Sequence, residues 1–252
     1  MSKILYYDSF DTDFATSRGQ DYRLPADYRW EQPGFARKIA GVLLHGAAWL
    51  IDVIYRRFVA RVRIKNRRLL RKGKRGYFLF SNHTQVFGDV VNPYALCWPK
   101  RPRILCSPAN LGIPVIGRWL PLAGALPIPD KLAQLKMFSD VVVRHIADNH
   151  AVVVYPEGHV WPYYTDVRPF EAGAFHYAAK VVAPVYVATT TYRKTRWLKR
   201  PKQIIYLDGP LIAPDGLRRK ALQAWYERAV RQLMQRRAKT SDCEYVTYRR
   251  KS

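Results

Sequence analysis

The stretch Gly76–Val90, GYFLFSNHTQVFGDV, holds the key to the fold. Tyr77, Phe78, Leu79 and Phe80 form a short apolar run behind a glycine, the pattern of a strand buried in a parallel sheet. Asn82-His83-Thr84-Gln85 then breaks the run at what would be the strand's carboxyl end, where open α/β sheets bind ligands. Histidine is the side chain whose ordinary pKa suits proton transfer near neutral pH, so His83 is a candidate base, and Asp89, six residues on, supplies a carboxylate to orient it. Six helical steps leave two side chains about 120° apart, so the spacing suits a turn better than one helix face. Gly88 is expected to give that turn backbone freedom. Taken alone, the pair reads equally well as a histidine satisfied by a local hydrogen bond.

A second segment repeats the arrangement. Ala151 to Tyr155 is another buried-strand run, and it ends in Pro156-Glu157-Gly158-His159. Phe170 to Lys180 reads as a helix, and Val181 to Thr191 as a third strand. Two polar clusters at the ends of two β-runs imply a single α/β domain with a mostly parallel or mixed central sheet flanked by helices.

Four ordered blocks carry a resemblance. Asn82-His83 with Asp89, then Pro156-Glu157-Gly158, then Pro169-Phe170 with Gly173-Ala174-Phe175, then Val182-Ala183-Pro184-Val185 are similar to those of the glycerolipid acyltransferase superfamily. Its best-known members are the 1-acylglycerol-3-phosphate acyltransferases. Pro114, Gly117, Gly124 and Ile128 match a further block in outline, and the match spans Gly76 to Tyr192. The family usually has four residues between its histidine and aspartate. Here there are five, which resembles a bacterial subgroup.

The resemblance implies transfer of a fatty acyl group from acyl-CoA or acyl-carrier protein to a lysophosphatidate-like lysolipid hydroxyl, with no tightly bound cofactor and no metal. His83 would be the base and Asp89 its orienter. Asn82 and the backbone near Gly158 would face the developing oxyanion, and Glu157 would bind acceptor hydroxyls. The family's phosphate-holding arginines are missing: Pro129-Asp130 and His159-Val160-Trp161 stand at those places. Arg168, Arg193 and Lys194 are the substitutes at hand, and a glycolipid or another lysophospholipid stands as the alternative acceptor. No Gly-x-Ser-x-Gly elbow is present, as expected if the substrate hydroxyl attacks directly.

Charge divides the chain. Of the formal +24, residues 1–34 carry −2, residues 35–75 carry +12, residues 76–192 only +2 and residues 193–252 another +12. With the pattern and the resemblance, this divides the expected chain into an irregular lead-in (1–34), a basic amphipathic membrane-associating segment (35–75) and what the resemblance implies is an α/β acyltransferase domain with a basic C-terminal helix (76–252). Basic flanks around a near-neutral core favour an anionic surface, lipid or nucleic acid. Ile39 to Tyr55, IAGVLLHGAAWLIDVIY, favours lipid. As a helix it reaches about 25 Å, short of a membrane's roughly 30 Å hydrocarbon core. Lys38, His45, Asp52 and Arg56 fall within about 40° of one another, a polar stripe that suits a helix lying in the bilayer interface. A core helix and a spanning helix are the alternatives.

Trp49, Arg56 and Arg57 are the expected membrane-associating residues, and anionic membrane lipids on the cytoplasmic face the expected partner, held peripherally or monotopically. Acyl-carrier protein is a further candidate partner. A non-catalytic anionic-surface binder is the reading from another class, with Arg196-Trp197-Leu198-Lys199-Arg200 the nearest approach to a nucleic-acid pattern; no nucleic acid is expected. Gln203 to Leu211 reads as a strand, and Pro214 to Lys239 as a helix burying Leu222, Trp225, Ala229 and Leu233. His145 and His150, at the end of a helical run from Leu132 to Asn149, lack an acidic partner at ligand spacing and read as a solvated helix end. Cys97, Cys106 and Cys243 read as reduced thiols.

Overall fold

The computed structural model describes residues 3–15, 21–31, 34–73, 75–196 and 200–251. Trp197 to Lys199, the middle of the candidate nucleic-acid pattern, lie outside them. In chain order the elements are β1 (Lys3–Tyr7), α1 (Phe35–Ile54), β2 (Arg63–Lys65), α2 (Arg68–Lys72), β3 (Tyr77–Ser81), α3 (Gly88–Leu96), β4 (Pro102–Cys106), α4 (Leu120–Ala123) and β5 (Ala125–Pro127). They continue with α5 (Leu132–Ala147), β6 (Ala151–Val154), α6 (His176–Lys180), β7 (Val185–Arg193), β8 (Lys202–Asp208), α7 (Arg219–Ala238) and β9 (Val246–Arg250).

Among the described residues, a seven-stranded sheet has the order β2-β8-β7-β3-β6-β4-β5, and only the β7–β8 pairing is antiparallel. The quoted strand lies at its centre, hydrogen-bonded to β6 on one side and β7 on the other. Both faces of β3 are covered, which is why it reads as an unbroken apolar run. Phe78 and Phe80 join Phe138, Val142, Tyr177 and Val230 beneath α5, α6 and α7. Tyr77 and Leu79 point the other way, towards Leu70 and Leu96 of α2 and α3.

Several boundaries move. The helix expected from Phe170 begins only at His176, because Glu171 N–H bonds the Pro156 carbonyl (2.7 Å) and holds the preceding residues in a turn. The strand expected from Val181 starts at Val185, after Pro184. The buried face of α7 is Tyr226, Val230, Met234 and Ala238, one residue on from the row anticipated, while Leu222, Trp225 and Leu233 pack at its margin.

The N-terminal helix is turned the opposite way to that expected of an interfacial helix with its polar stripe in water. His45 and Asp52 are its buried residues, packed towards the protein. His45 lies edge-on to Tyr94, and Asp52 pairs with Arg56 at 2.7 Å. The apolar side faces out: Leu43 is 67% exposed, and Phe58, in the wider helical turn that continues α1, is 73% exposed. Phe35–Val59 is long and apolar enough to cross a membrane by length and composition, and only 11% of its most apolar stretch is buried. Trp49 packs against Trp98, with ring centroids 5.4 Å apart, and Arg56 is tied to Asp52; of the three residues expected at the membrane, Arg57 alone is exposed.

Candidate active site

Three adjacent strands set the site. β3 ends at Ser81, and the loop that follows leads into α3, whose first turn carries Asp89. The His83–Asp89 spacing therefore crosses from a loop into a helix N-terminus, where the dipole favours a carboxylate. His83 Nδ1 lies 2.8 Å from Asp89 Oδ2, and the same oxygen accepts the Gln85 N–H at 2.8 Å. The histidine side chain is 16% exposed and the aspartate 3%. Because Nδ1 faces a carboxylate, it carries the proton in the neutral ring, leaving Nε2 as the basic nitrogen. Gly88 is required for space rather than for backbone freedom: its φ is not positive, and a Cβ there would come within 2.0 Å of the Gln85 side-chain oxygen.

Tyr155, which directly follows β6, completes the mounting. Its ring stacks on the His83 imidazole, centroids 4.3 Å apart, and its hydroxyl donates to the Asp89 carbonyl at 2.5 Å. One residue thus holds both members of the pair. It looked like the last residue of an apolar strand; the only sign of its role was its position next to Pro156-Glu157-Gly158.

The structure brings Asn82, Glu157, Gly158 and Arg168 around the pair, but in different surroundings from those anticipated. Asn82 is buried, and its amide bonds the Thr190 backbone at both ends, Nδ2 to the carbonyl (3.0 Å) and Oδ1 from the N–H (2.8 Å). It stitches the end of β3 to β7. Glu157 is buried too, and both its oxygens have partners. Oε2 accepts from the His83 N–H (3.3 Å) and the Arg168 guanidinium (2.9 Å), and Oε1 from the Arg168 N–H (3.3 Å). Burial raises the Glu157 pKa, while the facing Arg168 charge opposes the rise. Arg168 is itself buried; it also donates to the His159 carbonyl and lies 5.0 Å from the Trp161 ring centroid. The Glu157–Arg168 pair is therefore an internal strut under the His83 backbone, not a free hydroxyl binder and phosphate clamp. Gly158 has φ +72, and a Cβ there would meet the Glu171 carboxylate at 3.0 Å. Arg193 pairs with Asp242 at 3.0 Å, and the Lys194 N–H bonds the same carboxylate.

Further contacts fix the loop. Gln85 Nε2 reaches Thr190 Oγ1 (3.0 Å), and the Tyr192 hydroxyl lies 2.9 Å from Thr84 Oγ1. Trp161 N–H and Tyr163 N–H bond the carbonyls of His83 and Thr84. From the N-terminal lead-in, Tyr7, Phe10 and Phe14 pack on Trp161, and the Asp13 carboxylate approaches His159 Nδ1 (3.7 Å), raising its pKa.

At the opposite end of the sheet, His145, Asp148 and His150 place possible ligand atoms within 4.8 Å of one another, so an acidic neighbour is present after all. Asp148 is exposed, and burial and then the Arg103 charge lower the pKa of both histidines, with Arg101 adding to this at His150, surroundings that oppose a cation.

The solved structure of the 1-acyl-sn-glycerophosphate (LPA) acyltransferase PlsC from Thermotoga maritima resembles this fold with a TM-score of 0.52 at 14% identity, covering 82% of this chain and 100% of that one. No curated protein matches the chain. The Acyltransferase family model matches residues 61–193, which takes in every strand that carries the His83 site, and by that match the chain belongs to the Acyltransferase family.

Proposed function

We propose that this acyltransferase moves a fatty acyl group from a thioester donor, acyl-CoA or acyl-carrier protein, to the hydroxyl of a lysophosphatidate-like lysolipid, in phospholipid synthesis at the cytoplasmic face of a membrane. The observation that carries the reading is the 2.8 Å contact between His83 Nδ1 and Asp89, with the imidazole partly open to solvent. The acceptor hydroxyl gives its proton to His83 Nε2 as its oxygen attacks the thioester carbonyl. Asp89 stabilises the imidazolium that forms. When the tetrahedral intermediate collapses, the C–S bond breaks and the proton passes to the leaving sulfur. Tyr155, Asn82 and the Glu157–Arg168 strut hold the loop so that the base does not wander.

The outward apolar side of α1 and the turn after it support membrane association, the exposed apolar surface lying against lipid and the basic residues around it drawn to anionic headgroups. A different hydroxyl lipid, a glycolipid or another lysophospholipid, is the second reading. It is favoured by the burial of Arg168, which leaves that residue unable to meet an acceptor phosphate.

The test is transfer from radiolabelled acyl-CoA and acyl-carrier protein to a panel of lysolipids, with His83→Ala beside the wild type. Product from the wild type alone is the expected result, and the acceptor that is labelled decides between the two readings. Equal product from both proteins would remove His83 from the mechanism.

A further inference from the structure

A groove of about 980 Å³ opens beside the site, between the turn that follows α1 and the start of β8. Arg56, Arg57, Arg61, Arg63, Arg200 and Lys202 line it, and no carboxylate is among the described residues that line it. Arg57, Arg61, Arg63 and Arg200 are exposed, so their charges meet the solvent that fills it. Its inner wall reaches the catalytic loop. The Tyr163 N–H bonds the Thr84 carbonyl at 2.9 Å, and the Tyr55 ring lies edge-on to Phe87, centroids 4.9 Å apart.

From the acyl-transfer reading above, on which this inference rests, we infer that the groove binds the nucleotide and phosphate end of a coenzyme A thioester. Concentrated positive charge in a concavity of this size calls for a polyanionic small ligand. Distance then selects which one. Lys202 begins β8 beside the end of β7, and Arg63 begins β2, so both lie at the same end of the sheet as His83. β8 and β2 are the second and third strands from β3 on that side. At about 4.8 Å per strand the basic residues stand on the order of 10–14 Å from the histidine's strand. In a lysophosphatidate the phosphorus is four bonds from the reacting oxygen, about 5 Å, which is too short. The pantetheine arm of coenzyme A spans what four extended residues span, about 14 Å, and so places its phosphates in the groove with the thioester at His83.

The probe is adenosine 3′,5′-bisphosphate, titrated calorimetrically into the full chain in mixed micelles. Wild type should bind it saturably, and the triple variant Arg61→Ala, Arg63→Ala, Arg200→Ala should weaken it roughly tenfold or more. The matching Arg→Lys triple, with charge kept, should retain most of the affinity and guards against a folding defect. In transfer assays the alanine triple should raise KM for acyl-CoA by a similar factor, leaving KM for the acceptor and the rate with acyl-pantetheine, which lacks the nucleotide, as in wild type.

A change in acceptor KM, a defect seen only with acyl-carrier protein, or lost binding to anionic phospholipid vesicles with the bisphosphate unaffected would each overturn the assignment in favour of that ligand. Transfer from acyl-CoA without bisphosphate binding would sink the groove and spare the reaction. Bisphosphate binding without transfer to any acceptor would do the reverse.

Discussion

The two ends of the central sheet each hold partly buried histidine, and they treat it in opposite ways. At the carboxyl end, His83 has a carboxylate on Nδ1, a tyrosine ring on its face and a partly open edge. At the amino end, His145 and His150 lie edge to face, centroids 5.3 Å apart, and each has a buried Nδ1 with no hydrogen-bond partner. Burial, then the charge of Arg103, pushes His145 down to about 3 and His150 to about 4. The same residue type is hydrogen-bonded to a carboxylate in one place and left without a partner at Nδ1 in the other. What separates them is the hydrogen-bond partner at Nδ1 and the desolvation of the ring.

Breaking the comparison at its strong end gives the largest effect. His83→Ala should lower the rate of acyl transfer by roughly 10²- to 10⁴-fold, read from initial rates with labelled donor, while His145→Gln should leave the rate as in wild type. Glu157→Gln is the next most severe. It leaves the Arg168 charge buried and unpaired, and should cost about 3–5 kcal/mol in a denaturant titration. Asp89→Asn keeps the shape of the loop but removes the charge that steadies the imidazolium. We expect kcat to fall by less than it does in His83→Ala, with a smaller change in KM.

The smallest effect sharpens the weak end. Unfolded, His145 titrates near 6.5; folded, it titrates near 3, so between those values the unfolded chain binds more protons. Stability should therefore fall as pH drops from about 6.5 towards 4, by on the order of 2 kcal/mol from this residue. Denaturation midpoints across that range should show a flatter profile for His145→Gln than for wild type. An identical profile would mean that His145 is solvated in the folded protein.

Much of this was legible in the linear string, and for a physical reason. Strands buried on both faces must be continuously apolar, so Tyr77–Phe80 and Ala151–Val154 announced themselves, and the polar residues that ended them marked the sheet's carboxyl end. The His83–Asp89 contact was readable because both groups lie in one short loop-to-helix segment. The fourfold division of charge needed no structure either, since it follows from counting.

What only the tertiary structure decided concerns contacts between segments distant in the chain. Glu157 and Arg168 were expected, from the family resemblance, as a hydroxyl binder and a substitute phosphate clamp; their mutual burial as an ion pair makes them a strut instead. Tyr155 read as a strand residue until β6 was seen to set it against both His83 and Asp89. The face that α1 turns inward could not be read from its pattern, because a polar stripe fits water or a protein interior equally well, and only its packing on α3 and α4 chose. The basic groove depends on the strand order, which sets Arg63 of β2 alongside β8 and its Lys202 although well over a hundred residues separate them. Local patterns record how a segment meets its surroundings, whereas the identity of those surroundings is fixed by pairings that the chain makes across its whole length.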